Sequence, residues 1–169
     1  NEALQKEMRH SLREARLILE TGIARFAAEN INPENKTLVS NAWSRLAEFE
    51  MKAIQDHPTY MNWQIHDQFH LSLAEASGNP FLVHLLKTLL ESVPVSLRDR
   101  NLLFASNEIT QRVFMANHFI HEKLCKAVVQ GDVVAAQKWV QYHSDYEKFN
   151  IDYSYGDWAS SENRQRFEE

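Results

Sequence analysis

HEKLCKAVVQGDVVAAQKWVQYH, residues 121–143, reads as two amphipathic helices joined by a tight turn, and it decides the fold. Gly131 suits the left-handed position that closes one helix, and Asp132 suits the capping position that opens the next. The pattern predicts helices from about Asn107 to Gln130 and from Asp132 to about Asn150. His121 lies eleven residues before Asp132 and His143 eleven after it, so equal rise per residue puts both at one height on the hairpin.

The same periodicity extends upstream. Leu4, Met8, Leu12, Ala15, Leu19, Ile23 and Phe26 recur at steps of three and four, which predicts a helix from about Glu2 to Asn30 with that stripe facing inward. Asn32-Pro33-Glu34 reads as a cap, a proline in the first turn and an acid at the positive helix end, opening a helix to about Gln55 with Leu38, Ala42, Leu46 and Phe49 on its core side. A third helix is expected from about Tyr60 to Ala76, closed at Gly78. A fourth runs from Pro80 to about Leu90, with a kinked continuation past Pro94 as an option. Residues 151–169 read as a polar tail, mobile from Ser160 onward. Long helices with short turns and no alternating strand pattern imply an all-α antiparallel bundle of about six to seven helices with a central metal or ligand pocket.

Composition excludes several classes. A chain of 169 residues with 44% hydrophobic and 24% charged residues has the profile of one globular domain. A net charge of −5 argues against this chain gripping a phosphate backbone itself. Cys125 is the single cysteine, so no intrachain disulfide forms, which fits a reducing cytoplasm. No apolar run approaches the ~18 residues of a membrane span.

The chemistry lies in the histidines. His66 and His70 are four apart and project from one helix face as a two-point clamp, and His121 and His143 can meet them from the hairpin. Neutral imidazole is a common metal ligand, and a bundle core gathers ligands from facing helices, so these four are candidates for one buried divalent metal. Asp67 is an alternative ligand to His66. His10, His57 and His84 read as surface or partly buried side chains, while His118, one turn from His121, is placed to touch a ligand. Arg16 sits between Leu12 and Leu19 at the inner margin of its helix, where it either pairs with Glu20 or forks the carboxylate of a small acid beside the metal. Cys125 among Leu124, Val128 and Val129 reads as a buried structural thiol.

The string FHLSLAEASGNP, Phe69 to Pro80, resembles the signature of the ligand-binding FCD domain of FadR-type GntR-family transcription regulators. EARLILE, Glu14 to Glu20, looks like the first-helix motif of that family, and the interval from His121 through Gly131-Asp132 to His143 reproduces its last two helices. The resemblance covers about Ala3 to Asn150. It implies a divalent metal held by an Asp-x-x-x-His pair and two later histidines; His70, His121 and His143 carry over, and the Asp position is His66 here. An all-imidazole set leaves the metal its full double positive charge, which attracts an anionic effector, and favours Zn or Ni over Mn or Mg.

The resemblance implies an effector-sensing domain spanning 1–150, not an enzyme, whose homodimer controls DNA binding by an N-terminal winged-helix domain absent from this chain. The expected effector is a small hydroxy acid, sugar acid or dicarboxylate, contacted by Arg16, Asn79 and His118. A rival reading takes His66-Asp67 as the HD pair of a metal-dependent phosphohydrolase, but that family needs an upstream histidine on another helix and His57 is too close. A third is a metal-free interaction domain in which the histidines only pack.

Overall fold

The computed structural model describes residues 2–56, 62–94 and 107–152, and among these the chain forms six α-helices and no strand. They are α1 (Glu2–Glu29), α2 (Pro33–Asp56), α3 (Trp63–Ala76), α4 (Pro80–Glu91), α5 (Asn107–Val129) and α6 (Val133–Asp152). Local chemistry sets the ends. The side chains of Asn32, Asn62, Asn79 and Asp132 accept from the backbone N–H groups of Asn35, Ile65, Phe81 and Ala135, capping α2, α3, α4 and α6. At the hairpin, Gly131 has φ +70°, its N–H donates to the Val128 carbonyl and that of Asp132 to the Ala127 carbonyl, which is a Schellman closure.

Several boundaries differ from expectation. Asn62 caps α3, so the helix starts at Trp63 rather than near Tyr60. α4 ends at Glu91, where the Ser92 N–H closes on the Thr88 and Leu89 carbonyls; it does not continue to Pro94. Ile151 and Asp152 still belong to α6, while 153–169, including the stretch from Ser160, lie outside the described residues, as does His57.

α1 packs mainly along α6, and α2 along α5 and α3. The short α3 also touches α1 and α4, and it buries His66, Phe69, His70, Leu73 and Ala74 in the middle of the bundle. Leu46, Phe69, Leu86, Leu124 and Ala136 bring α2 to α6 into one apolar core, to which α1 adds Ile23, Ala24, Ala27 and Ala28.

The inward faces of α1 and α2 follow the apolar stripes read from the sequence only in part: Ile23 and Leu46 are buried and Leu19, Ala42 and Phe49 pack against the core, but other positions differ. In α1, Leu4, Met8, Ala15 and Phe26 are exposed, and Arg13, Arg16 and Glu20 turn inward above Ile23. In α2 the buried row is Val39, Leu46, Glu50 and Ala53, with Leu38, Ala42 and Phe49 at its margin. Each helix is rotated so that charged side chains face partners inside the bundle. Pairing makes that rotation tolerable, since a buried charge without a partner costs several kcal/mol.

Cys125 is buried, and burial, followed by Glu122, pushes its thiol up to about 12. The thiolate is the reactive form. Native chain at pH 8 is therefore expected to resist alkylation by iodoacetamide and to react fully once unfolded in guanidinium; fast native labelling would contradict this packing.

Candidate metal centre

His66 and His70 project from one face of α3, His121 enters from α5 and His143 from α6. All four rings are buried, and each offers a ligand nitrogen within 4.8 Å of the others. Tetrahedral zinc with Zn–N bonds of about 2.0–2.1 Å needs nitrogens about 3.3 Å apart, so a modest contraction completes the set. The His121 and His143 Nε2 atoms already stand 3.1 Å apart.

The outward nitrogens meet carboxylates. The Nδ1 of His121 lies 2.9 Å from Glu50 Oε1, and that of His70 lies 2.8 Å from Glu20 Oε2, a close ionic contact whose alignment falls short of a hydrogen bond. His143 Nδ1 is 3.9 Å from Glu147 Oε1, and His66 Nδ1 is 3.3 Å from Asp67 Oδ1. A carboxylate behind Nδ1 holds the ring proton there and leaves Nε2 as a lone pair for a metal. Burial pushes His121 down, although Glu50 acts the other way; burial, then His121 and His70, pushes His143 well down. Both shifts favour the neutral ring, the form that ligates.

Several buried nitrogens here lack a hydrogen-bond partner, and two of them bear on ligand binding. His70 Nε2 is buried with no hydrogen-bond partner, and so is Arg16 Nη2. A buried unsatisfied polar group is uncommon and costs about 1–3 kcal/mol. For His70 Nε2, the cluster of three further imidazoles explains the vacancy in hydrogen bonding: the donor set and its orphan fit a divalent ion of borderline softness such as Zn or Ni.

Arg16 fulfils the plainer of its two expected roles and keeps room for the other. Its Nε donates to Glu20 Oε1 at 2.7 Å and its Nη1 to Glu147 Oε1 at 2.7 Å. Burial presses the Glu20 carboxyl upward, but Arg16 and then His70 outweigh it and hold the group well below the carboxylate range. Burial likewise opposes the charge on Arg16, yet Glu147 and Glu20 keep it above its ordinary value. Beside it lies a small hollow between α1 and α6, lined in part by Arg13, Arg16, Glu20, His143, Ser144 and Glu147, with room for about one water. Arg13 donates to Ser144 Oγ at 2.8 Å across it.

The remaining candidates stand apart from that hollow. His118 is partly buried against the Trp43 ring with its Nδ1 3.3 Å from Glu50 Oε2, and this contact raises its pKa. Asn79 is exposed and its side chain is engaged in capping α4. Asp67 is partly exposed behind the His66 ring rather than in its place. Sequence reasoning missed Glu50 and Glu147. Glu50 carried a signal, a carboxylate four residues after Leu46, while Glu147, four after His143, resembled any solvated acid.

The FCD domain family matches residues 11–146. The chain belongs to the FCD domain family. Its match includes all four clustered histidines together with Arg16, Glu20 and Glu50. A relative of this FCD domain is the HTH-type transcriptional regulator LutR of Bacillus subtilis strain 168, 26% identical over 142 residues, which cover 83% of this chain and 60% of LutR. The chain therefore spans about three-fifths of that relative's length.

If the cluster binds zinc only when folded, zinc adds stability by mass action. At free zinc roughly 100 times Kd the gain is about 2.7 kcal/mol, or about 5–10 °C in melting temperature for a chain of this size. Calorimetry should show that rise, its reversal by a chelator and its loss in His70→Ala; equal melting with and without zinc would refute the site.

Proposed function

We propose that this chain is the effector-sensing domain of a cytoplasmic bacterial GntR/FadR-type transcription regulator, binding a divalent metal through His66, His70, His121 and His143 and a small carboxylate beside it. The observation that carries the reading is that, among the buried nitrogens without a hydrogen-bond partner, His70 Nε2 lies within the imidazole cluster and Arg16 Nη2 next to His143. One calls for a cation and the other for an anion. The FCD family membership and the regulator among its relatives support the same class.

The metal, Zn or Ni by its all-nitrogen donors, would supply a fixed positive charge at the base of the pocket. Around it, Arg16 presents a planar guanidinium already oriented by Glu20 and Glu147, and Arg13 and Ser144 offer further donors. A hydroxy acid, sugar acid or dicarboxylate suits such a set. No bond is broken, and the phosphohydrolase reading loses its support: the FCD family match stands against it, and His66 clusters with three histidines rather than pairing with Asp67 across a metal. His118 and Asn79 have other partners here, so Arg16 is the effector contact this reading retains.

Transmission follows from the small size of the hollow. Admitting even a small acid where about one water fits requires α1 to part from α6. The effector then favours one placement of α1 over another, by no more than its difference in affinity for the two. In the whole regulator, α1 would pass this to a separate winged-helix domain, with the sensor domains paired as a homodimer.

Arg16→Lys keeps the charge between Glu20 and Glu147 but removes the fork. Isothermal titration with a panel of small hydroxy acids and dicarboxylates is expected to show at least about tenfold weaker binding for the variant, equivalent to ~1.4 kcal/mol, with zinc content unchanged. Equal affinity in both proteins would exclude Arg16 as the carboxylate contact.

A further inference from the structure

Glu50 is the most confined charge among the described residues. Its side chain has no exposed surface, and among those residues its ion-pair partners are His118 and His121, with no Lys or Arg beside it. Glu20 differs, because Arg16 lies against it. A carboxylate at full burial is costly unless a cation lies close by, and nothing in the apolar row Val39, Leu46 and Ala53 supplies one. Glu50 Oε1 meets His121 Nδ1 at 2.9 Å, and the far nitrogen of that ring opens into the four-histidine cluster.

We propose that Glu50 is a positioning residue for the metal centre, fixing His121 in the Nδ1–H form with its Nε2 lone pair inward and supplying through that ring the negative charge that four neutral imidazoles lack. The inference rests on the metal reading above. It also revises the charge of the site: an all-imidazole centre does not present its full double positive charge to an effector, because Glu50 behind His121 and Glu20 behind His70 offset part of it. Anion attraction then depends on Arg16 as well as on the metal. A plainer role is also available to Glu50, as partner of a protonated His118, whose Nδ1 is 3.3 Å from its second oxygen. The two roles separate experimentally, since His118 lies outside the cluster.

The test is cobalt(II) titration of metal-stripped chain, followed by its visible bands, in wild type, Glu50→Gln, Glu50→Ala and His121→Ala, with circular dichroism as a check on folding. Long-range proton–nitrogen correlation NMR on wild type reads the His121 tautomer without any substitution. We expect one cobalt in wild type, none tightly held in His121→Ala, affinity about 10- to 100-fold weaker in the Glu50 variants, and an Nδ1–H resonance for His121. Cobalt bound equally by wild type and Glu50→Gln would overturn the role of Glu50 while leaving the metal reading intact. No cobalt in wild type would sink both. If the Glu50 variants do not fold, the tautomer decides: an Nε2–H proton on wild-type His121 overturns the proposal.

Discussion

Burying four imidazoles side by side is the constraint on which the rest of the structure depends. Glu50 and Glu20 lie behind the Nδ1 atoms of His121 and His70, and the Nε2 atoms of His121 and His143 stand 3.1 Å apart inside the cluster. If both protons are held on the outer nitrogens, the inner ones present lone pairs to one another, which suits a cation rather than ring packing. The four rings meet at one level of the bundle, where α3, α5 and α6 come together, and a divalent cation between them is what the proposed function places there.

The arrangement also explains why charged side chains line the inside of α1 and α2. Glu20 and Glu50 reach the outer nitrogens of two different histidines, and the helices that carry them are turned so that apolar residues such as Met8 and Phe26 remain exposed. Arg16 is drawn in by Glu20 and Glu147, joining α1 to α6 through ion pairs beside the histidine cluster. These pairs lie beside the hollow between α1 and α6, so in the proposed function an effector entering there would act on this seam.

Much of this was legible from the residues. The helix count, the caps at Asn32 and Asp132, the turn at Gly131 and the meeting of His66, His70, His121 and His143 all follow from periodicity and turn chemistry, and they hold because those signals are local or repeat over long helices. Rotation of a helix about its axis is different. It depends on what lies opposite, so the apolar stripe of α1 pointed to Leu4 and Met8, while a hydrogen bond to Ser144 of α6 turns Arg13 inward; Arg16, read at the inner margin, is held there by its ion pair with Glu147. Glu50 escaped for the same reason, since a glutamate in an apolar row acquires meaning only when His121 is seen across from it. Asn79, expected near the effector, has its side chain engaged as the cap of α4, a role already implied by the Pro80 that follows it.

X-ray absorption at the zinc edge of the zinc-loaded chain tests the central claim most directly, because it counts the imidazoles around the ion. The account predicts a shell of nitrogen at about 2.0–2.1 Å with the multiple scattering of four histidine rings and no sulfur. A shell of two or fewer imidazoles, or a sulfur contribution from Cys125, would contradict it.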